Sequence, residues 1–132
     1  MNCLLDTHSF LWAVFTPNKL SRTARSTIAD TTNTVHLSSI SFWEISLKYA
    51  LGKLTLAGCT PETLVATAND MGLTLITPDA VESASFHRLP RLPHRDPFDR
   101  MLVWQAIQRD LVLITTDSAL PEYREAGLRT LW

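Results

Sequence analysis

Met1-Asn2-Cys3-Leu4-Leu5-Asp6-Thr7-His8-Ser9-Phe10-Leu11-Trp12-Ala13-Val14-Phe15 opens the chain and changes its hydrophobic period halfway through. Cys3 to Leu5 is a short continuous apolar run, the pattern of a strand buried on both faces. From Thr7 onward Phe10, Leu11, Val14 and Phe15 recur at helical spacing, until Thr16-Pro17-Asn18 breaks the pattern. A strand that feeds directly into a helix is the first half of a βαβ unit, and the residue at the junction is an acid, Asp6.

Working outward, the same alternation continues to the end. Ser21 is placed to cap a helix running through Ile28 and Ala29, and Val35 to Leu37 reads as the next strand. Ser41-Phe42-Trp43-Glu44 has the spacing of a capping box, followed by Ile45, Leu47 and Leu51 up to Gly52. Thr60-Pro61-Glu62 predicts a helix start, ending near Met71 and Gly72, with a strand over Leu73 to Ile76. Thr77-Pro78-Asp79 starts a short helix, and Leu89 to Pro97, with its three prolines, is a loop. Asp96-Pro97 sets up a cap with proline in the first turn of a helix carrying Met101, Leu102, Trp104, Ala106 and Ile107. Leu111 to Ile114 is a strand, Ala119 to Ala126 a short helix closed by Gly127, and Thr130 to Trp132 a terminal edge strand. Strands alternating with helices in this way predict an α/β fold with a mostly parallel sheet of four or five strands.

The 132 residues fit one domain, 1–132, and 45% hydrophobic against 19% charged residues is the balance of a globular protein. No apolar run approaches the roughly 20 residues that span a bilayer. The start lacks a basic segment and reaches Asp6 at once, so no secretory signal is expected and a cytoplasmic protein follows as the default. Cys3 and Cys59 are expected as two reduced thiols, the first buried in a strand. A net charge of −1 does not advertise a nucleic-acid binder, so any such role must come from local features.

In an open parallel sheet, ligands bind beyond the carboxyl ends of the strands. Asp6 directly follows the first strand, and Asp117 follows Leu111-Val112-Leu113-Ile114 after Thr115-Thr116. Glu44 and Asp99 fall in the first turns of predicted helices that start at the same edge. Four converging carboxylates repel unless a cation sits among them, and hard oxygen ligands select magnesium or manganese. Such an ion polarises a phosphodiester and lowers the pKa of a bound water, which is nuclease chemistry. Each acid also has a local explanation: Asp6 as a helix cap, Glu44 within the Ser41 capping box, Asp99 as a first-turn acid beside the cap Asp96, Asp117 as a turn former with Ser118.

The wording around these acids decides between the two. Leu4-Leu5-Asp6-Thr7-His8 with Leu11-Trp12, Ser41-Phe42-Trp43-Glu44-Ile45, His94-Arg95-Asp96-Pro97-Phe98-Asp99-Arg100-Met101-Leu102 and Ile114-Thr115-Thr116-Asp117 closely resembles the PIN-domain family. More narrowly it is similar to the toxin nucleases of VapC-type toxin–antitoxin pairs, over essentially the whole chain. The Asp-Pro-Phe-Asp-Arg stretch is the most specific piece.

That resemblance implies a three-layer α/β/α domain and a magnesium-dependent endoribonuclease, with manganese able to substitute. It implies Asp6, Glu44 and Asp99 as the core metal-binding and catalytic acids and Asp117 as a more variable fourth. It also implies a small cognate antitoxin and a homodimer; the apolar surfaces for both are expected on the helices of residues 21 to 30 and 41 to 71. Thr116 is a candidate assistant beside the acids.

Arg88, Arg91, Arg95 and Arg100 cluster near the acid loop and are candidates to grip RNA phosphates, with Lys48 and Lys53 behind them. His8 is a weaker candidate substrate contact, and Trp12, Trp43 and Trp104 are expected in the core rather than against bases. Rival phosphoryl-transfer readings lack their residues. A phosphatase resembling the haloacid-dehalogenase family needs an acid where His8 stands, and a two-component receiver needs an acid pair and a late lysine. Phosphate-binding glycine loops are absent from a chain with four scattered glycines. A binding module that keeps the acids without turnover is the remaining alternative.

Overall fold

The computed structural model describes residues 1–93 and 96–132. Five parallel strands form one sheet: β1 (Asn2–Leu5), β2 (Thr34–Ser38), β3 (Thr74–Ile76), β4 (Val112–Ile114) and β5 (Arg129–Leu131), in the order β3-β2-β1-β4-β5. Register is fixed by pairs such as Cys3 with Val35, Leu5 with Ile114, Ser38 with Ile76 and Ile114 with Leu131. The helices are α1 (Thr7–Phe15), α2 (Arg22–Ala29), α3 (Ser39–Ala50), α4 (Thr63–Asp70), α5 (Ala80–Ser85) and α6 (Pro97–Gln108).

Side chains alternate across a strand, and β1 divides its apolar residues between two cores accordingly. Cys3 and Leu5 join Phe10, Leu20, Ala24, Ile45, Leu64 and Ala68 on the face covered by α1 to α4. Leu4 points the other way, to Leu89, Leu102, Val103, Ala106, Leu113, Leu120 and Tyr123 under α5, α6 and the 3₁₀ helix Leu120–Ala126. The parallel sheet is the one that the alternation of elements predicts, and helices on both of its faces make the three-layer α/β/α architecture that the family resemblance implies. The chain winds outward from β1 to β3, crosses to the other face, and returns through β4 to β5. The winding therefore reverses between β1 and β4, the place where such sheets bind ligands.

Caps explain most helix starts. Asp6 accepts from the Ser9 amide, Ser21 from Ala24, and Asp96 from Phe98 and Asp99, with Pro97 in the first turn. Asp79 and Glu82 form a reciprocal capping box on α5. Cys3 and Cys59 are both free thiols, as expected, and burial pushes the Cys3 thiol up from its ordinary pKa. Among the described residues no helix is long and apolar enough to cross a membrane.

Three expectations are corrected. α3 is capped by Ser38, whose hydroxyl accepts from the Ile40 amide, so the helix starts before Ser41 and there is no Ser41–Glu44 capping box. Thr60-Pro61-Glu62 forms a turn ahead of α4 instead of its first turn, with the Thr63 hydroxyl donating to the Thr60 carbonyl. Trp43 is 61% exposed rather than buried, because on α3 the inward positions fall to Ser41, Glu44 and Ile45. Trp104 is buried on α6 as expected, and Trp12 is half-buried.

Candidate active site

Asp6 sits where β1 ends, 5% exposed, beside the end of β4: its amide donates to the Ile114 carbonyl at 3.2 Å. Its Oδ1 accepts from the Ser9 amide at 2.8 Å, and the Ser9 hydroxyl donates to the same Ile114 carbonyl at 3.1 Å. The helix-cap role read from the sequence is therefore real, and it also holds the carboxylate at the point where the winding of the sheet reverses.

Glu44 loses its local explanation. With the cap moved to Ser38, it lies in the second turn of α3, past the amides that a capping side chain satisfies. Ser41 is used differently, its hydroxyl accepting from the Thr7 hydroxyl at 3.0 Å and tying the first turns of α1 and α3 together. Glu44 is 2% exposed, with Oε2 on the Lys48 ammonium at 2.5 Å. Its Oε1 is buried and, among the described residues, has no hydrogen-bond partner. A buried carboxylate oxygen without a donor costs free energy, so this atom calls for a cation or a donor. The hydrogen bond to Glu44 raises the Lys48 pKa, and the charges of Asp96 and Asp99 raise it further.

Asp99 stands in the first turn of α6, where the sequence places it, and its amide donates to Asp96 Oδ1 at 3.3 Å. The neighbours of these two acids in sequence meet directly: Trp43 packs edge-on against Phe98 with centroids 5.1 Å apart, joining α3 to the start of α6. A second link runs from the Ser38 hydroxyl to Gln105 Oε1 at 2.6 Å. Asp117 is half-buried, three residues past Ile114, where the pairing of β4 ends. Its amide donates to Thr115 Oγ1 at 3.0 Å and its Oδ1 accepts from the Ala119 amide at 2.9 Å, the turn that its local reading predicts. Thr116 is exposed.

The acids thus fall into two sets. Glu44, Asp96 and Asp99 act on the Lys48 ammonium from α3 and α6, while Asp6 and Asp117 follow the adjacent strands β1 and β4. Among the described residues no three His, Cys, Asp or Glu side chains are arranged so as to hold a metal ion. Glu44 is instead paired with the Lys48 ammonium. The oxygen-only donor set and the partnerless Glu44 Oε1 nonetheless suit a hard divalent cation.

A cleft of about 660 Å³ opens beside Glu44 between α1, α3 and residues 53–57, with Thr7, His8, Trp12, Lys48 and Leu54 in its walls. Of the basic candidates, Arg88 and Arg91 are exposed, and Arg95 lies outside the described residues. Arg100 donates to the carbonyls of Leu89 and Pro90 and stacks 4.9 Å from the Phe86 ring, so it staples the loop before α6 to that helix. The pairing of Lys48 with Glu44 was absent from the sequence reading, although the i,i+4 spacing of opposite charges on a helix signals it.

Similarity to known proteins follows the same outline. The chain superposes on a chain of VapBC from Salmonella typhimurium, a complex with DNA, with a TM-score of 0.65 at 23% identity, covering 99% of this chain and 97% of that one. For VapBC2 from Rickettsia felis, bound to a promoter DNA fragment, the TM-score is 0.64 at 17% identity, with 99% and 98% covered. For FitAcB from Neisseria gonorrhoeae it is 0.60 at 19% identity, with 100% and 97% covered. No curated protein matches by sequence. The model of the PIN domain matches residues 3–126, nearly the whole span from the first strand to the last short helix, and the chain belongs to that family.

Proposed function

We propose that this chain is the toxin of a toxin–antitoxin pair, a magnesium-dependent endoribonuclease in which Asp6, Glu44 and Asp99, with Asp117, serve the reaction. The observation that carries the reading is Glu44: a carboxylate 2% exposed, with one oxygen on Lys48, the other without a hydrogen-bond partner among the described residues, and no capping role at its helix turn. The PIN family match and the likeness to chains of VapBC and FitAcB complexes support the toxin assignment.

A divalent cation, magnesium or manganese, would be held by Glu44 and Asp99 from the helices and Asp6 from β1, with Asp117 acting at longer range. When bound it supplies Lewis acidity toward a phosphodiester oxygen and a nucleophile from water at neutral pH. Asp6 is pinned by the Ser9 amide, so its remaining oxygen is oriented without rotamer freedom. Thr116, exposed beside Asp117, serves in this reading as a hydrogen-bonding assistant to a phosphate or to the water. Arg88 and Arg91 offer charge to the RNA backbone, which the acidic site by itself repels. Most exposed large apolar residues lie within 43–71, including Trp43, Leu47, Leu51 and Val65, which supports placing the antitoxin and a second copy of the chain there.

The test is cleavage of end-labelled single-stranded and structured RNAs by the purified chain in Mg²⁺, Mn²⁺ and EDTA. Cleavage with either metal, none in EDTA, and none by Asp6→Asn or Asp99→Asn variants that melt near the parent is the expected result. Intact RNA under every condition, with melting indifferent to EDTA, overturns the nuclease reading and leaves a binding module. Cleavage that persists in both variants overturns the site assignment alone.

A further inference from the structure

Lys48 is a basic side chain in direct contact with a proposed site acid, Glu44, and the contact is one-sided. Its ammonium takes Glu44 Oε2 at 2.5 Å, while Oε1 of the same carboxylate is buried and, among the described residues, has no hydrogen-bond partner. The charges of Asp96 and Asp99 act on the same ammonium. The Lys48 side chain is 36% exposed and the Glu44 side chain 3%, so the pair lies at the mouth of the cleft with the carboxylate inside and the cation outside. A lysine ammonium is a compact point charge on a flexible stem, able to satisfy a carboxylate and to leave it again.

We propose that Lys48 is a resident counter-ion of the acid site, a positioning residue that fixes Glu44 in the metal-free protein and competes with divalent cation for it. This rests on the metal-dependent reading of Glu44 above. Two consequences share one direction. Without Lys48, the metal-free protein holds a buried carboxylate with no cation and is less stable. A divalent cation arriving there no longer meets a neighbouring positive charge, so it binds more tightly. The function of the competition is to keep the acids folded together when metal is absent while setting the concentration at which metal enters.

The experiment is calorimetric titration of Mn²⁺ into the full chain and its Lys48→Met and Lys48→Arg variants, with melting of each in EDTA. We expect Lys48→Met to bind Mn²⁺ about tenfold more tightly, the equivalent of one modest charge–charge interaction. Lys48→Arg, which keeps the charge, stays within about twofold of the parent. In EDTA, Lys48→Met melts lower, and that loss disappears in a Glu44→Gln background where no buried charge remains to be paired.

Should Lys48→Met be unfolded in EDTA, recovery of its fold at Mn²⁺ levels below those that stabilise the parent supports the proposal, and failure to recover overturns it. Equal or weaker Mn²⁺ binding by Lys48→Met, or tightening by Lys48→Arg as large as by Lys48→Met, also overturns it. In both cases binding by the parent leaves the metal reading standing. A parent that binds no Mn²⁺ sinks the metal reading and this inference together.

Discussion

Asp6 carries two roles that a single substitution can separate. The carboxylate caps α1 through the Ser9 amide at 2.8 Å, and an asparagine oxygen can do the same. Asp6→Asn is therefore expected to melt close to the parent while losing RNA cleavage. Asp6→Ala loses the cap as well and costs about 1 kcal/mol, seen as a lower urea midpoint at unchanged slope. Equal stability of the two variants would mean that the cap contributes nothing. This acid was legible because a cap and a strand end leave the same signature in sequence. Glu44 was legible only as an acid: Ser38, Ser39 and Ser41 all suit a cap, and the choice among them depends on where β2 stops pairing with β3 at Ile76, a long-range fact. Trp43 faces outward because Ser41, Glu44 and Ile45 take the buried face of α3.

At the scale of elements, α5 and α6 are joined by a strut that no motif announces. Arg109 grips Glu82 with two nitrogens, Nη2 on Oε1 and Nε on Oε2, and also donates to the Thr77 carbonyl at 2.7 Å. Trp104 adds its indole N–H to the Glu82 carbonyl at 3.1 Å. The Arg109 guanidinium holds the Glu82 carboxyl below its ordinary value of 4.5. A lowered folded pKa gives stability that is present above the unfolded value and is lost as pH falls through the folded one. Glu82→Gln keeps the capping geometry and removes the charge. Its deficit against the parent is thus expected at pH 6 and should shrink as pH drops below about 4.5, read from melts across that range. A deficit constant with pH would remove the ion pair from the account. The two tryptophans on facing helices differ as their burial does. Trp104→Ala, at 6% exposure, is expected to cost about 3–5 kcal/mol, whereas Trp43→Ala, at 61%, should cost about 1 kcal/mol or less in denaturant melts.

Alternating apolar runs and helix-length segments made an α/β fold with a parallel sheet legible, and the family wording implied its three layers, while the starts of α3 and α4 were misplaced because several serines and threonines suit a cap equally well. Strand order left no such trace. That β1 lies between β2 and β4 is set by side chains far apart in sequence, such as Leu5 beside Ile114, and it is this order that brings Asp6 and the Asp117 turn to neighbouring strand ends. The helices that carry Glu44 and Asp99 are positioned by contacts equally remote in sequence, Thr7 with Ser41 and Trp43 with Phe98.

The proposed site draws its acids from four separate parts of the chain, so a cation that bridged them would be bound only while all are in place and would couple to the whole fold. Mn²⁺ at about 100 times its Kd is then expected to stabilise the parent by roughly 2.7 kcal/mol. For a chain of this length that is a rise in melting temperature on the order of 10 °C. In Glu44→Gln the rise should fall to a small fraction of that, since the buried charge that needs a cation is gone, even though the variant folds without metal. Scanning calorimetry with and without Mn²⁺ checks both. An undiminished rise in Glu44→Gln would place the cation elsewhere on the molecule and detach Glu44 from it.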